Sequence, residues 1–405
     1  MTKLEELINE LCPDGVEYVK IKDYFIRLKG TPITAAKMKE IASNDGEIKV
    51  FAGGKTVINA YEKDIPKANI TRVPAVLVQS RGVIDVVYYD EPFTFKNEMW
   101  AYTHNEQTTV KYLFYFLSTQ VNKMRESASG MGSLPQISLK VTEEMQIPLP
   151  PLSIQSEIVH ILDSFTLLTA ELTAELTARQ KQYAFYRDYL LDFSNEDVTK
   201  KIPDIDCSNV EYKRLGNIAI IERGKRVVRN DLSQEIGYPV YQNALKPLGY
   251  YTDKNRNANS VFIIGAGAAG EIGYSYVDYW AADDCFTFVC DDKLNQRYLY
   301  FLLMSKQAYL NNNVRKSSIP RLPRIALENM EIPVPPLSVQ ENIVKILDRF
   351  DKLNNDMSEG LPAEIEARKK QYEYYRDTLL SFDDKACSHI VKVERERESY
   401  HALNR

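Results

Sequence analysis

Three stretches of this 405-residue sequence place residue types where they could do chemistry. Gly265-Ala266-Gly267-Ala268-Ala269-Gly270 has the spacing of a dinucleotide-binding turn and follows an apolar run, Val261 to Ile264. Asp291 lies about twenty residues on, where a ribose-binding acid would fall. A pyrophosphate at such a turn needs a helix N-terminus beside it. The residues that follow, Glu271-Ile272-Gly273-Tyr274-Ser275-Tyr276-Val277, read as strand and turn instead. The preferred reading is a tight β-turn of a kind that can approach a DNA backbone. Gly53-Gly54-Lys55-Thr56 resembles the end of a phosphate-binding loop, but Lys49 occupies the position of its first glycine. Pro203-Asp204 with Glu211-Tyr212-Lys213 superficially resembles a metal-nuclease set. The related stretch near the N-terminus has Val19 where Lys213 stands, so the carboxylates read as surface residues.

Metal and nucleophile chemistry find no better footing. Cys285 and Cys290 have no second pair, and His104, His160, His389 and His401 are scattered. The sequence contains neither an Asn/Asp-Pro-Pro-Tyr run for holding a target base nor a G-x-S-x-G elbow. The chain therefore reads as a binding protein. Its cationic and amide side chains fall in two clusters. One comprises Arg27, Lys29 and Thr31 around Gly30, then Lys55, Gln79 and Arg81. The other comprises Arg223, Lys225, Arg226 and Arg229 around Gly224, then Arg315, Lys316, Arg321 and Arg324, with Gln242, Asn243 and Lys246 as weaker members. Arg and Lys on loops neutralise phosphates, and Arg, Gln and Asn at strand ends pair with base edges in the major groove. Any one such residue is more often a solvated charge. The clusters matter because they occupy equivalent places in a repeat.

That repeat organises the chain. Ile147 opens the run IPLPPLSIQSEIVHILDSF, and Ile332 opens IPVPPLSVQENIVKILDRF, 185 positions later. Further on, RQKQYAFYRDYLL from Arg179 is matched by RKKQYEYYRDTLL from Arg368, 189 positions later. The second copy thus carries four extra residues, about one helical turn. Each copy predicts one long helix. Prolines block an earlier start, and Ser153 and Ser338 are placed to cap, the latter with Glu341 three residues on. Apolar residues at Ile154, Ile158, Ile161, Phe165, Leu168, Leu172, Leu176, Tyr183, Tyr186 and Leu190 step mostly by threes and fours. Val339, Ile343, Ile346, Phe350, Leu353, Met357, Leu361, Tyr372, Tyr375 and Leu379 repeat them. This is a coiled-coil seam with a stutter, and its nearest partner is the other copy. Pro362, after Gly360, predicts a kink or break.

The globular parts repeat more loosely. Val16-Glu17-Tyr18 matches Val210-Glu211-Tyr212, Gly30 matches Gly224, and Tyr112-Leu113 matches Tyr298-Leu299. Strands are predicted at Val16 to Ile21, Ile48 to Phe51, Ala75 to Gln79 and Val83 to Tyr89, and a helix at Thr109 to Met124. The resulting plan is a first lobe (1–148), a long helix (149–194), a second lobe (195–333), a second long helix (334–382) and a charged tail (383–405). The net charge of −5 argues against a wholly basic surface but is compatible with local basic faces. No apolar run approaches a membrane span, the start MTKLEELINE lacks a signal-peptide core, and five scattered cysteines fit a reducing cytoplasm.

The IPLPPLSIQSEIV and RQKQY runs, each present twice, and the lobe–helix–lobe–helix plan resemble the specificity subunit of type I restriction-modification systems over nearly the whole length. The resemblance implies an α+β fold. Two mixed α/β target-recognition domains would be separated by two long helices that pair as an antiparallel coiled coil, with an internal pseudo-two-fold repeat. Each lobe would read one half of a bipartite, asymmetric double-stranded DNA site, and the helices would set the spacer. The helix ends would dock two adenine methyltransferase subunits, for which Gln182, Tyr183, Tyr186, Arg187, Gln371, Tyr372, Tyr375 and Arg376 are the candidates. The tyrosines have a competing role, sealing the helix pair. A restriction/translocase subunit would join that complex. The resemblance also implies that this chain is non-catalytic and binds no cofactor, S-adenosylmethionine, ATP and magnesium belonging to its partners. Two other classes compete: a self-sufficient DNA-modifying enzyme, and a coiled-coil scaffold that binds proteins without reading DNA.

Overall fold

The structure, a computed structural model, describes residues 3–130, 134–194, 210–355 and 360–382. Met357 of the expected seam and the charged tail from 383 lie outside the described residues. The chain divides into two compact units, Met1–Glu171 with Ile365–Arg405, and Leu172–Glu364. Both long helices are thereby cut, each unit taking one part of each.

In the first unit, helix α1 (Lys3–Leu11) leads into β1 (Tyr18–Lys20), the helical turn α2 (Ile21–Tyr24), β2 (Ile26–Leu28) and α3 (Ala35–Ile41). Strands β3 (Ile48–Phe51), β4 (Val57–Ala60), β5 (Ala75–Gln79), β6 (Asp85–Tyr89), β7 (Phe93–Phe95) and β8 (Trp100–Thr103) follow. Then come α4 (Gln107–Glu126), α5 (Leu139–Glu143), β9 (Gln146–Pro148) and the 40-residue α6 (Leu152–Leu191). The strands make a four-stranded sheet in the order β2-β8-β5-β6, a three-stranded sheet β4-β3-β7 and the pair β1-β9.

Strand β5 shows why this sequence gives this arrangement. All five of its residues are buried, so it must be covered on both faces. Val76 and Val78 point into the cluster that holds Val110, Leu113 and Leu117 of α4 and Ile154 and Ile158 of α6. The alternating Ala75 and Leu77 pack with Phe51, Phe93 and Phe95 between the sheets.

The second unit repeats the topology. Strands β10 (Glu211–Arg214), β11 (Ala219–Arg223), β12 (Tyr238–Tyr241), β13 (Gly249–Tyr251), β14 (Ser260–Ile264), β15 (Ile272–Ser275), β16 (Trp280–Ala281), β17 (Cys285–Cys290) and β18 (Glu331–Val334) form β11-β17-β14-β15, β13-β12-β16 and β10-β18. Helices α7 (Gln296–Ser305), α8 (Gln307–Asn313) and α9 (Arg324–Glu328) precede α10 (Leu337–Asn355) and α11 (Leu361–Leu379). Even the mixed pairing recurs: β3 runs antiparallel to β4 and parallel to β7, as β12 does to β13 and β16. The matched glycines have one cause. A Cβ on Gly30 would strike the backbone of Phe95 and Lys96, and one on Gly224 the backbone of Ala281 and Ala282.

Within each unit the long-helix segments run antiparallel. In the first, the Phe165 and Tyr375 rings sit 5.1 Å apart, while the Tyr18 hydroxyl, beside Pro148, donates to the Ser381 carbonyl at 3.0 Å. In the second, Tyr186 stacks on Phe350 at 5.7 Å, and Leu190 and Leu191 share a core with Val339 and Ile343. The seam is less uniform than its spacing predicts. Ile154, Ile158, Ile161 and Phe165 are buried, whereas Leu168, Leu172 and Leu176 are half-buried. The four buried residues belong to the first lobe's core cluster, whereas the three leucines join no lobe core.

The helix starts also differ from expectation. The carbonyls of Pro151 and Pro336 accept the first helical N–H bonds, from Ile154 and Gln155 and from Val339 and Gln340. The prolines thus hold the cap position, and Ser153 and Ser338 stand exposed inside the first turn. Buried glutamines lock the entry instead, Gln155 Nε2 donating to the Pro150 carbonyl and Gln340 Nε2 to that of Pro335, both at 2.8 Å. Gly360 is a bend immediately before α11 starts at Leu361, and residues 356–359 of the expected kink lie outside the described residues. Pro362 lies in the first turn of α11, where a missing N–H costs little.

Candidate nucleic-acid interface

Each lobe gathers its loops at one sheet edge. In the first, the β3–β4 turn carrying Lys55 meets the β5–β6 turn, the Gly54 N–H donating to the Arg81 carbonyl at 3.0 Å. In the second, the β12–β13 loop carrying Gln242, Asn243 and Lys246 meets the β14–β15 turn, the Ala268 N–H donating to the Asn243 carbonyl at 2.9 Å. That turn is the glycine-rich run. It joins two antiparallel strands, with Gly267 and Gly270 at positive φ, and no helix begins there. A dinucleotide site is thereby excluded.

A third loop completes each edge. Ser129 and Gln136 exchange backbone hydrogen bonds at 2.9 and 3.0 Å, and Gly82 N–H donates to the Pro135 carbonyl at 2.9 Å. In the second lobe Arg315 and Arg321 exchange the same bonds at 2.8 and 3.2 Å, and Gly267 N–H donates to the Pro320 carbonyl at 3.1 Å. One scaffold therefore presents Ser and Gln in one lobe and two arginines in the other. The residues Pro135-Gln136 and Pro320-Arg321 are offset by the same 185 positions as the proline runs, a signal the sequence held.

The structure sorts the predicted contacts. Arg223, Arg315, Arg321 and Arg324 line one recess of about 470 Å³. Arg81 lines another of about 410 Å³ with Gly53, Gly54, Lys96, Glu98 and Leu134. Lys29, Lys55, Lys225, Arg226, Arg229, Asn243, Lys246 and Lys316 are exposed, and Gln242 is half-buried. Two expectations need correction. Thr31 is fully buried, its hydroxyl 2.7 Å from that of Thr94 and accepting from Asn69 N–H at 2.9 Å. Gln79 is buried because β5 is a central strand. Neither side chain is placed to reach a base. The Glu211–Lys213 set resolves to a surface ion pair at 2.6 Å, and Pro203 and Asp204 lie outside the described residues.

What fixes each lobe on its long helix is a repeated latch. Lys111 of α4 pairs with Asp163 of α6 at 2.6 Å, over the Tyr88 ring, and the Tyr115 hydroxyl donates to the same carboxylate. At the equivalent place Arg297 of α7 pairs with Asp348 and Asp351 of α10, both at 2.7 Å, with Tyr274, Tyr300 and Phe301 around its guanidinium. Burial opposes the Arg297 charge, but the hydrogen bond and charge of Asp348 outweigh it, so its pKa stays above the usual range. Burial and the Asp351 carboxylate push the Tyr300 phenol up to about 12. Tyr112 and Tyr298 complete the repeat, donating to the Pro148 and Pro333 carbonyls.

The docking candidates on the helix ends also separate. Tyr183 and Tyr375 are buried in the helix pairing, so they seal it rather than face a partner. Tyr372 and Gln371 are half-buried, while Gln182 and Tyr186 are exposed. Arg187 and Arg376 each bond the next residue, Asp188 and Asp377, at 2.8 Å. More exposed than Tyr186 are Phe185, 64%, and Tyr374, 51%, which occupy the same position of the repeat and which the spacing did not single out. Among the described residues no His/Cys/Asp/Glu cluster could hold a metal ion, and no helix is long and apolar enough to cross a membrane.

Comparison with known proteins adds to this geometry. The family described as Type I restriction modification DNA specificity domain matches residues 13–179 and again 207–367. The chain is 31% identical over 366 residues to the EcoR124I/EcoR124II specificity subunit of Escherichia coli, covering 83% of this chain and 87% of that one. It is 35% identical over 267 residues to a putative type I specificity subunit, S.MpnORF365P, of Mycoplasma pneumoniae, covering 64% and 95% respectively. In fold it resembles the crystal structure of a type I restriction-modification S subunit from M. genitalium, with a TM-score of 0.60 at 19% identity, over 91% of this chain and 96% of that one.

Proposed function

Because this chain belongs to the type I restriction-modification DNA specificity family, we infer that each lobe reads one half of a bipartite, asymmetric DNA site. The observation that carries this is the repeated strand order with unlike side chains on equivalent loops, Lys55 on the β3–β4 turn against Gln242, Asn243 and Lys246 on the β12–β13 loop. One scaffold approaches DNA twice, and the differing groups select different bases.

The long helices serve as spacer and docking platform for two methyltransferase subunits, with a restriction/translocase subunit joining the complex. The chain itself makes and breaks no bonds. S-adenosylmethionine, ATP and magnesium belong to the partners, a division supported by the lack of a catalytic motif in the sequence. Purified alone with S-adenosylmethionine and duplex DNA, the chain transfers no methyl groups but binds with salt-dependent affinity. Methyl transfer by the chain alone would identify a self-sufficient enzyme. Absence of any salt-dependent DNA affinity would identify a protein-only scaffold.

A further inference from the structure

The second lobe's recess carries a charge arrangement that base reading alone does not explain. Arg315 and Arg321 are opposed across an antiparallel bridge, each N–H donating to the other's carbonyl. Residues opposed in this way project to the same side of the ribbon, and like charges there repel. Neither forms an ion pair with any described residue; Arg324 has one, with Glu328 at 2.7 Å. Arg223 completes the ring, its guanidinium 5.7 Å from the centre of the Phe286 ring. The loop is held in advance, Leu322 N–H donating to the Gly265 carbonyl at 2.9 Å. The first lobe lacks this charge. Its bridge carries Ser129 and Gln136, and Arg81 shares its recess with the Lys96–Glu98 ion pair at 2.9 Å.

We propose that the recess formed by Arg223, Arg315, Arg321 and Arg324 is a phosphodiester clamp that anchors the DNA backbone, and that the first lobe has no counterpart. The proposal rests on the DNA-reading function inferred above. The choice of backbone over base follows from shape. The convex parts of a duplex are its phosphate ridges, whereas base edges lie in grooves and are read by groups that protrude into them. Arginines lining a concavity suit a ridge. Repulsion between the bridged pair is relieved when an anion lies between them.

The test is the salt dependence of binding by the full-length chain to two fluorescent duplexes, one carrying its methylated motif and one scrambled. Replacing Arg315 and Arg321 together by Gln lowers the slope of log affinity against log salt by about 1 for each phosphate that is no longer neutralised. The affinity ratio between about 50 and 200 mM salt then falls about fourfold per phosphate. Both duplexes weaken by the same factor. Arg→Lys at both positions restores most of the slope, which separates a missing charge from a misfolded lobe. Ser129→Ala with Gln136→Ala in the first lobe leaves the slope unchanged. An unchanged slope in the Gln variant, or a weakening confined to one base of the specific duplex, overturns the clamp while leaving DNA recognition intact. No salt-dependent binding by the unaltered chain would overturn the recognition reading itself.

Discussion

The repeated latch gives unequal consequences for the same substitution. Arg297→Met and Lys111→Met remove the cation at equivalent positions and keep most of the apolar stem. The Arg297 side chain is 10% exposed, so losing it removes a shielded cation that bridges Asp348 and Asp351. Such a loss costs about 3 kcal/mol. The Lys111 side chain is 30% exposed and Asp163 40%, so solvent already screens that pair. It is worth about 1 kcal/mol or less. Hydrogen exchange, read by mass spectrometry on peptides of the full chain, resolves the two lobes separately and needs no two-state unfolding. Amides of α7 and β14 in Arg297→Met should exchange on the order of 100-fold faster, whereas those of α4 and β5 in Lys111→Met should gain about fivefold or less. Adding Asp351→Asn to Arg297→Met should recover part of the loss. Equal effects in the two lobes, or no effect of Arg297→Met, would refute the assignment of Arg297 as a buried latch.

Two further outcomes follow from the helices. Inserting one Thr-Ala-Glu-Leu quartet after Leu176, where the seam is only half-buried, adds about 6 Å of helix. That is roughly two base pairs of spacer. Methylation of a spacer library by the assembled complex should shift to longer spacers, and an unchanged preference would end the ruler account. Replacing Phe185 and Tyr374 together by Ala should abolish capture of the methyltransferase subunit while leaving the helix pair folded. Arg187→Glu with Arg376→Glu should weaken capture less, because each arginine is already bonded to the adjacent aspartate. Retained capture by the aromatic variant would move the docking surface elsewhere.

Features set by local chemistry were legible in the sequence. The proline-stopped helices, the helix start just after Gly360 and the apolar strands at Ile48–Phe51 and Ala75–Gln79 follow from short-range pattern, and all are present. The sheet order was not legible, because β3 pairs in parallel with β7 across some forty intervening residues and nothing local specifies that pairing. Side-chain direction failed at Thr31 and Gln79, where the polar residue type suggested a surface but tertiary packing buried both. At the helix ends the seam spacing already placed Tyr183 and Tyr375 inward, where they are buried, and only their competing role as docking residues falls; the outward aromatics Phe185 and Tyr374 stand at positions that spacing did not single out. The third loop was legible in the second lobe through Arg315 and Arg321, but its first-lobe counterpart at Ser129 and Gln136 was not, because its equivalence lies in a backbone bridge that side-chain identity does not reveal.

One scaffold, used twice, is expected to read two unlike half-sites. Sequencing of modified bases in DNA from cells carrying this chain and its methyltransferase partner tests it, with the β3–β4 turn and the β12–β13 loop exchanged between lobes in a second strain. The first strain should show a bipartite, asymmetric motif with a fixed spacer, and the second altered recognition with the spacer unchanged. A single contiguous motif, or methylation indifferent to either lobe, would contradict it.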